Sequence, residues 1–366
     1  MKASLFCSTR YEGPSKRGVW PVPADTYDAD IAQRSYQRTL AQVRLGDQLG
    51  FDYMTVAEHH FAPFSMSPNP LIFAGALTQV VKNAKLALLG PDLPILNPLR
   101  VAEEIAMLDN LTGGRVIAGL MRGSPNEYVT YNINPGESRA RFQEGVELII
   151  KAWTEPQAFG WQGRYYDYRT VSIWPRPVQK PHPPIYISTA TPESGEFAAR
   201  LRLSAGFAFT TLQIATKAAA YYRQQAKEYG WEPTPDDIIY RLAFHVAPTD
   251  EQAIEELMGT GLQAAVGLSM TNKALEAAVA ESGYYGRDKE TQRARLQSRG
   301  EIEERIHKGQ LLAGSPKTVL KQITRIRDEI GAGMLDLSLG AATLGEKTMR
   351  SIEMFGTEVL PRMRAL

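Results

Sequence analysis

Apolar residues along the chain alternate between a helical spacing and short continuous runs. Three such runs occupy residues 53–57, 115–119 and 334–339, and a fourth contains Gly206 and ends at residue 209. A period of 3.6 residues is typical of an amphipathic helix, whereas a continuous apolar run is typical of a strand buried on both faces. Gly50, Gly113 and Gly331 each lie between a segment of helical spacing and the apolar run that follows it, where helices often end in a left-handed residue. The pattern predicts repeated helix–turn–strand units.

Further apolar runs bring the number of predicted strands to eight. They occupy residues 3–7, 85–89, 184–188 and 238–246. Buried strands separated by helices indicate a parallel sheet, so the chain is predicted to be an α/β protein. Eight strand–helix units over 366 residues favour a (β/α)8 TIM barrel with insertions, and a doubly wound open sheet is the alternative. No linker rich in Gly and Ser occurs, so we predict a single domain over residues 1–366.

Two segments depart from this alternation. Residues 157–184 are rich in Trp, Tyr and Pro and predict a hairpin followed by an extended approach to the next strand. Their aromatic side chains either line an apolar mouth or pack within the hairpin. Residues 282–309 are highly charged without a clear apolar face. They predict a mobile lid, with a solvated surface insertion as the alternative.

Composition and charge narrow the classes of function. The chain has 41 Lys and Arg against 40 Asp and Glu, a net charge of +1, which argues against binding to nucleic acid or an acidic membrane. The single cysteine, Cys7, excludes an intramolecular disulfide and is typical of a reducing compartment. The apolar N-terminal stretch is too short for a signal peptide, and no apolar run approaches the roughly 18 residues of a membrane span. We expect a soluble cytoplasmic protein.

Several familiar motifs are ruled out. Residues 259–264, GTGLQA, match GxGxxA, but the preceding EQAIEELM is helical, and a dinucleotide fingerprint needs a strand there. No Walker A, HExxH or GxSxG motif occurs. His59 and His60 are adjacent, so on a strand they would face opposite ways. With one cysteine and five histidines in the chain, we predict no metal site.

The segment Glu58-His59-His60 follows the strand predicted at residues 53–57. The carboxyl ends of barrel strands surround the active site, and two imidazoles with a carboxylate exceed what packing requires. A catalytic role is therefore favoured over the alternative, a histidine that only caps the strand. After the next strand, Leu89 and Gly90 begin a stretch dense in Gly and Pro that predicts a constrained bend or an ordinary loop.

Anion-binding side chains follow two further strands. Arg122, between Met121 and Ser124, comes after residues 115–119 and suits an anion, with a helix-end salt bridge as the alternative. Thr191 and Ser194 open the helix after residues 184–188. Small hydroxyl residues are common N-caps, but free backbone N–H groups and the helix dipole also make such a turn a phosphate cradle. Together these residues predict a phosphate site.

Seven motifs, in this order, resemble the bacterial luciferase-like flavin-dependent monooxygenase family: GFDYMTVAEHHF, NPLRVAEEIAMLDNLTGGR, GLMRGSPNEY, ESRARFQEGVELIIKAW, QKPHPPIYIS, GSPKTVLKQI and FGTEVLPRMR. The resemblance covers nearly the whole chain. It implies a (β/α)8 barrel, a homodimer, and oxygenation of a small organic substrate with O2 through a C4a-peroxyflavin. The reduced FMN would come from a separate flavin reductase. F420-dependent hydride transfer, known in the same family, and a non-catalytic flavin-binding protein are the alternatives, although a pure binding protein has no need of paired imidazoles.

Residue by residue, the resemblance implies a site beside the flavin ring. His59 is similar to the catalytic histidine of the family and His60 to its neighbour. Leu89 and Gly90 match the position of a cis, non-proline peptide that abuts the ring. Met121 stands where luciferase has a reactive cysteine, which argues against thiol chemistry and against light emission.

The resemblance also implies how the phosphate of the cofactor is held. Arg122 resembles the phosphate-binding arginine, and Ser124 resembles the residue that supplies a companion backbone amide. Thr191 and Ser194 resemble hydroxyl ligands at a helix start. Ala190 stands where luciferase has a glutamate whose backbone amide is the useful part.

Overall fold

A computed structural model describes residues 1–16, 20–208, 210–258, 302–339 and 345–366. These residues contain eleven strands: β1 Lys2–Phe6, β2 Tyr53–Val56, β3 Lys85–Leu88, β4 Val116–Gly119, β5 Phe159–Gln162, β6 Asp167–Val171, β7 Ile185–Ser188, β8 Ser204–Ala208, β9 Ile238–Val246, β10 Leu311–Gly314 and β11 Met334–Ser338. Their α-helices are α1 Ala29–Leu49, α2 Pro70–Val80, α3 Pro98–Thr112, α4 Pro125–Thr130, α5 Ser138–Thr154, α6 Pro192–Arg200, α7 Leu212–Glu228, α8 Asp250–Met258, α9 Ile302–His307, α10 Pro316–Ile330, α11 Glu346–Met354 and α12 Leu360–Arg364. Short 3-10 turns lie at Ala24–Thr26, Leu93–Ile95 and Pro235–Asp237, and a π-helical turn, Phe355–Val359, joins α11 to α12.

Eight parallel strands close into a barrel in the order β1, β2, β3, β4, β7, β8, β9, β11 and back to β1. Each coincides with one of the eight predicted strands, so the (β/α)8 barrel is confirmed. The doubly wound alternative is wrong, because the β8–β9 and β11–β1 pairings leave no open edge in this ring. The sequence pattern did not predict β10. Ala243 of β9 pairs with Ser338 of β11 and also with Leu311, so β10 lies on the opposite edge of β9 from β11.

The helix ends follow the predicted chemistry with one exception. Gly50, Gly113 and Gly331 end α1, α3 and α10 in the left-handed conformation. Gly206, in contrast, lies inside β8, and the non-glycine residue Arg202 takes the left-handed conformation after α6. Asn69 and Asn97 begin α2 and α3 by accepting hydrogen bonds from backbone N–H groups of the first turn.

The strands separate two layers of side chains. Alternate residues pack outward against the helices, as Leu5 and Leu335 do, in a single large apolar core. The intervening residues face the barrel interior, where a smaller cluster includes Tyr53, Ile117 and Met334. The barrel is therefore filled by side chains at one level, as expected for eight strands.

The aromatic segment forms an antiparallel hairpin of β5 and β6. Glu144 of the outer helix α5 accepts hydrogen bonds from the backbone amides of Arg164, Tyr165 and Tyr166, at 3.1, 3.0 and 3.0 Å. The indole Nε1 of Trp161 donates to the same carboxylate over 3.3 Å. Trp161 and Tyr168 are cross-strand partners, so these two residues correspond to the alternative of packing within the hairpin.

Two sequence predictions fall partly outside the described residues. Residues 282–301 of the predicted lid lie outside them, whereas 302–309 contain α9 and the turn after it. The GTGLQA segment at 259–264 also lies outside, but α8 immediately precedes it, which confirms the helix that excludes a dinucleotide fingerprint. Within the described ranges, no helix is both long and apolar enough to cross a membrane.

Candidate active site

The predicted site residues follow four strands that are consecutive in the barrel, β2, β3, β4 and β7. His59 and His60 come after β2, and Leu89 and Gly90 after β3. The remaining ones come after β4 and β7: Met121, Arg122, Ser124, Ala190, Thr191 and Ser194. Because the strands are parallel, these residues all lie at the carboxyl end of the barrel, on one continuous arc of its mouth.

His59 is held by a buried carboxylate on α4. Its Nδ1 lies 3.4 Å from Oε1 of Glu127, and its side chain is 26% exposed whereas that of Glu127 is 2% exposed. The backbone amide of Ser124 donates to Oε2 of Glu127 over 3.0 Å, and the Ser124 hydroxyl bonds the same oxygen. Ser124 and Glu127 thus form the capping box that begins α4. One carboxylate therefore fixes both the helix start and the imidazole.

The charge of Glu127 sets the tautomer of His59. Burial acts to raise the pKa of Glu127, but the hydrogen bond and charge of His59 and the hydrogen bond from Ser124 lower it below its usual value. An ionised carboxylate only accepts hydrogen bonds, so Nδ1 of His59 must carry a proton. Nε2 is left as the atom that can exchange a proton within the barrel mouth.

His60 occupies a different environment. Its Nε2 lies 3.0 Å from Oε1 of Glu58, and both side chains are buried, at 3% and 2% exposure. The ring also meets Tyr131 edge-on at a centroid distance of 4.9 Å. The other oxygen of Glu58 accepts the backbone amide of Asp92 over 2.9 Å. His60 is thereby packed between elements, and Glu58 ties the end of β2 to the loop after β3.

Asp92 completes a group of three buried carboxyls. Burial raises its pKa well above the usual range, and the neighbouring charges of Glu127 and Glu58 raise it further. The loop that carries Asp92 is fixed to the end of β4, since Leu93 donates its amide to the Met121 carbonyl over 2.9 Å. The raised pKa favours the protonated form, which avoids a further negative charge beside Glu58 and Glu127.

Gly90 lies where the backbones of two strands meet. A Cβ atom at this position would lie 2.4 Å from Cα of Ala57 and 2.9 Å from the Glu58 amide nitrogen. Only glycine permits this approach, which places the loop after β3 directly against the segment that carries His59. The predicted cis peptide at Leu89–Gly90 is wrong: the cis bonds in the described part of the chain are Trp20–Pro21, Trp174–Pro175 and Lys180–Pro181. A trans bond is the ordinary state, because cis costs a non-proline bond about 3 kcal/mol.

The segment after β4 is held in place by hydrogen bonds that its backbone carbonyls accept. The Tyr128 hydroxyl donates to the carbonyl of Arg122 over 2.6 Å and lies 3.2 Å from that of Gly123. Met121 forms an isolated bridge with Asp92. These contacts fix the position of the Arg122 backbone at the mouth. The backbone amide of Ser124, which was predicted to bind phosphate, donates a hydrogen bond to Glu127 in this structure.

The segment after β7 forms a second capping box. The Thr191 amide donates to the Ser194 hydroxyl over 3.1 Å, and Ser194 donates that hydroxyl to the Thr191 carbonyl over 2.8 Å. Pro192 opens the nine-residue helix α6. At the same turn, Nη1 of Arg139 lies 3.4 Å from Glu193 and offsets its charge. Ala190 precedes the box and is partly exposed.

These residues fit a phosphate monoester such as that of FMN. The Arg122 guanidinium and the Thr191 and Ser194 hydroxyls follow adjacent strands, and the positive end of the α6 dipole adds to them. Hydroxyl groups rotate readily, so a phosphate oxygen can replace the internal bonds of the capping box. The donor set therefore suits a dianionic group at the rim, with His59 two strands away.

Sequence reasoning missed Glu127 and Asp92. The S-x-x-E spacing of Ser124 and Glu127 is itself a capping-box signature and could have indicated Glu127 as a helix-start residue. Its contact with His59 joins residues 68 positions apart, which no local pattern predicts. Asp92 likewise reaches Glu58 only through the folding of β2 against β3.

Comparison with known proteins identifies the family. A model of the luciferase-like monooxygenase family matches residues 1–333. The oxygenase component of the flavin-dependent trigonelline monooxygenase of Acinetobacter baylyi is 25% identical over 174 residues, which are 47% of this chain and 48% of that protein. The chain spans about half the length of the curated relatives it matches.

Solved structures are similar to this chain over almost its full length. Monooxygenase RslO1 from Streptomyces bottropensis is 26% identical with a TM-score of 0.76, over 99% of both chains. Two others are below 25% identity and establish the fold alone. One is the oxygenating constituent of 3,6-diketocamphane monooxygenase from Pseudomonas putida in complex with FMN (19%, TM-score 0.74, 99% and 98% of the chains). The other is an F420-dependent secondary alcohol dehydrogenase with an F420-acetone adduct (17%, TM-score 0.71, 99% of both). The eight-stranded barrel, the site at its carboxyl end and the match over residues 1–333 together assign this chain to the luciferase-like monooxygenase family.

Proposed function

We propose that the protein is a flavin-dependent monooxygenase that uses reduced FMN and O2 to oxygenate a small organic substrate. The observation that carries the proposal is the partly exposed His59, fixed by the buried Glu127 on the same arc of the mouth as Arg122, Thr191 and Ser194. The flavin dependence named for the Acinetobacter relative and the FMN bound in the Pseudomonas structure support this choice of cofactor.

The phosphate donors would anchor the cofactor away from the reacting atoms. Arg122 would form charge-assisted hydrogen bonds to the phosphate, and Thr191 and Ser194 would donate their hydroxyls. Binding energy gained at this distance orients the ring without being needed in the reaction itself. Leu89, Gly90 and Met121, at the ends of β3 and β4, would line the ring site, with the backbone amide of Ala190 close to the phosphate.

His59 would manage the proton of the reaction. Reduced FMN, when bound, supplies the electrons that activate O2. Because Nδ1 of His59 is hydrogen-bonded to Glu127, Nε2 is the atom that can donate or accept a proton. It would do so at the oxygen atom that is transferred to the substrate. His60 acts through Glu58 as a positioning residue, since both are buried and Glu58 holds the loop that contains Asp92.

A second candidate function is F420-dependent hydride transfer without oxygen. The structural likeness to the F420-dependent secondary alcohol dehydrogenase favours it, because that protein, of the same fold, is in complex with an F420-acetone adduct. The two functions differ in oxygen consumption. Only the monooxygenase requires O2 to form its product.

The test mixes the protein anaerobically with reduced FMN, adds O2, and follows flavin reoxidation by its absorbance together with O2 uptake and H2O2 release. We expect reoxidation on the protein to be slower than in free solution, because the barrel shields the ring from water. His59→Gln should change the reoxidation rate while leaving the Kd for FMN within about twofold. Reoxidation at the rate of free reduced FMN, or binding of F420 in preference to FMN, would contradict the proposal.

We further propose a homodimer and transient supply of reduced FMN by a separate flavin reductase. The neighbouring helices α2 and α3 expose Ile72, Met107 and Leu111, at 75%, 49% and 60%. Exposed large apolar side chains on neighbouring helices are typical of an interface between subunits. The cytoplasmic location stays a prediction from the single cysteine, as does the absence of a nucleic-acid partner from the charge of +1.

A further inference from the structure

An ion pair lies inside the barrel, outside the site described above. Arg241 of β9 and Asp336 of β11 are register partners, and Nε of Arg241 donates to Oδ2 of Asp336. Both residues alternate with outward-facing neighbours and share the face of Ile239 and Met334, which belong to the interior apolar cluster. Asp336 is fully buried, whereas Arg241 keeps 12% of its side chain exposed. Of the two side chains, that of Arg241 is therefore the one that retains some exposure.

The pair retains hydrogen-bonding capacity. Nη2 of Arg241 and Oδ1 of Asp336 are buried and have no hydrogen-bond partner among the residues that the structure describes. Buried polar atoms are normally paired, and leaving one unpaired destabilises the fold. Such a group inside an enzyme barrel is accordingly suited to a ligand that completes it.

The surroundings of the pair determine which ligand fits. The guanidinium stacks over the ring of Phe6, with 4.3 Å between its carbon and the ring centroid. Ser4 of β1 is the register partner of Asp336, and its hydroxyl forms a hydrogen bond with the hydroxyl of Thr55. Thr55 is two residues before Ala57, which contacts Gly90. Arg241 and Asp336 compensate each other's charge, so a carboxylate ligand would bring an unbalanced charge into the interior. An uncharged acceptor would not.

The position of the pair also fits a substrate site. Around the ring of strands, β11 is four steps from β4 in either direction, through β7, β8 and β9 or through β3, β2 and β1. The ion pair thus lies across the barrel from Arg122. A cofactor whose phosphate is held at β4 and β7 would leave this opposite wall to the substrate.

We propose that Arg241 binds the polar head of the substrate through an uncharged hydrogen-bond acceptor group, and that Asp336 makes the site reject the corresponding anion. This rests on the proposed function, because the substrate must share the mouth with FMN. Phe6 would contact the apolar part beside that head group. Arg241 and Asp336 then determine specificity, and no bond is made or broken on them.

The experiment uses two probes of the same shape, benzamide and benzoate, titrated calorimetrically into the full-length protein saturated with oxidised FMN. The wild type should bind benzamide more tightly. Asp336→Asn leaves the guanidinium charge uncompensated and should shift the ratio of the two Kd values toward benzoate by about tenfold or more. Arg241→Lys keeps the charge but loses the planar donor fork, so it should weaken benzamide without this reversal.

The matched control is Asp52→Asn, which removes a carboxylate from an exposed pair with Arg364 and should leave both Kd values unchanged. An unaltered ratio of the two Kd values in Asp336→Asn, undiminished benzamide affinity in Arg241→Lys, or no binding of either probe at millimolar concentration would overturn the proposal. FMN affinity, measured first for each variant, separates the two claims. If the wild type does not bind FMN, the proposed function is contradicted. If it binds FMN but the two Kd values do not respond to the substitutions, only this inference is contradicted.

Discussion

Replacing Glu127 by glutamine tests whether one buried carboxylate holds both His59 and the start of α4. Glu127 accepts from Nδ1 of His59 at 3.4 Å and from the Ser124 amide at 3.0 Å, and it also bonds the Ser124 hydroxyl. A hydrogen bond to a charged group contributes about 1.5–3 kcal/mol, and the 3.4 Å bond belongs at the weak end. Glutamine keeps the shape and one acceptor oxygen, so we expect Glu127→Gln to lower the free energy of unfolding by about 2 kcal/mol at neutral pH.

The pH dependence gives this prediction a second readout. The pKa of Glu127 is lowered in the folded protein, so its stabilisation is present above the pKa of the unfolded chain and is lost as pH falls through the folded value. The difference between wild type and Glu127→Gln should therefore shrink in acid. Urea denaturation followed by circular dichroism measures it at each pH.

A surface glutamate supplies the matched control. Glu104 pairs with Arg100 one turn away on α3, and the Arg100 side chain is 74% exposed. Exposed pairs of this kind contribute little to stability, so Glu104→Gln should scarcely change the urea midpoint. If Glu127→Gln were as mild as this control, the reasoning that places Glu127 at the centre of the site would be refuted.

Three further predictions concern other parts of the structure. Gly90→Ala should lower the free energy of unfolding by about 3 kcal/mol or more, because its Cβ would lie 2.4 Å from a backbone atom. Its control, Gly75→Ala, has nothing within 4 Å of the added Cβ and should stabilise α2 by about 0.5–1 kcal/mol. Equal urea midpoints for the two variants would refute this. The raised pKa of Asp92 means that wild-type stability falls as pH rises between the unfolded and folded values, so Asp92→Asn should raise Tm more at pH 8 than at pH 5, and the reverse order would be decisive against it. Leu111→Lys should convert the proposed dimer to a monomer in light-scattering mass measurements, and an unchanged mass would exclude this face as the interface.

The barrel was predictable because its signals are local. Each strand is a short apolar run after a helical stripe, and glycines such as Gly113 mark the helix ends. β10 escaped prediction because it adjoins the charged segment assigned to the lid. That the chain is a single domain, and that residues 282–309 act as a lid, stay predictions.

The site was predictable in its position but only partly in its contacts. His59 and Arg122 follow predicted strands, so barrel topology alone places them at the mouth. The contacts join distant parts of the chain: Glu127 is 68 residues from His59, and in the separate ion pair of the barrel interior Asp336 is 95 residues from Arg241. Spacing within one sequence carries no information about such pairs. The cis peptide assigned to Leu89–Gly90 through family resemblance shows the opposite error, a detail transferred to a backbone that does not have it.

The central claim is that FMN binds in the barrel mouth between Arg122 and the start of α6. A crystal structure of the FMN complex tests it most directly. The account predicts the phosphate in contact with Arg122 and with the Thr191 and Ser194 hydroxyls, and the ring beside His59. FMN bound elsewhere on the protein, or a mouth without FMN in crystals soaked at saturating concentration, would contradict it.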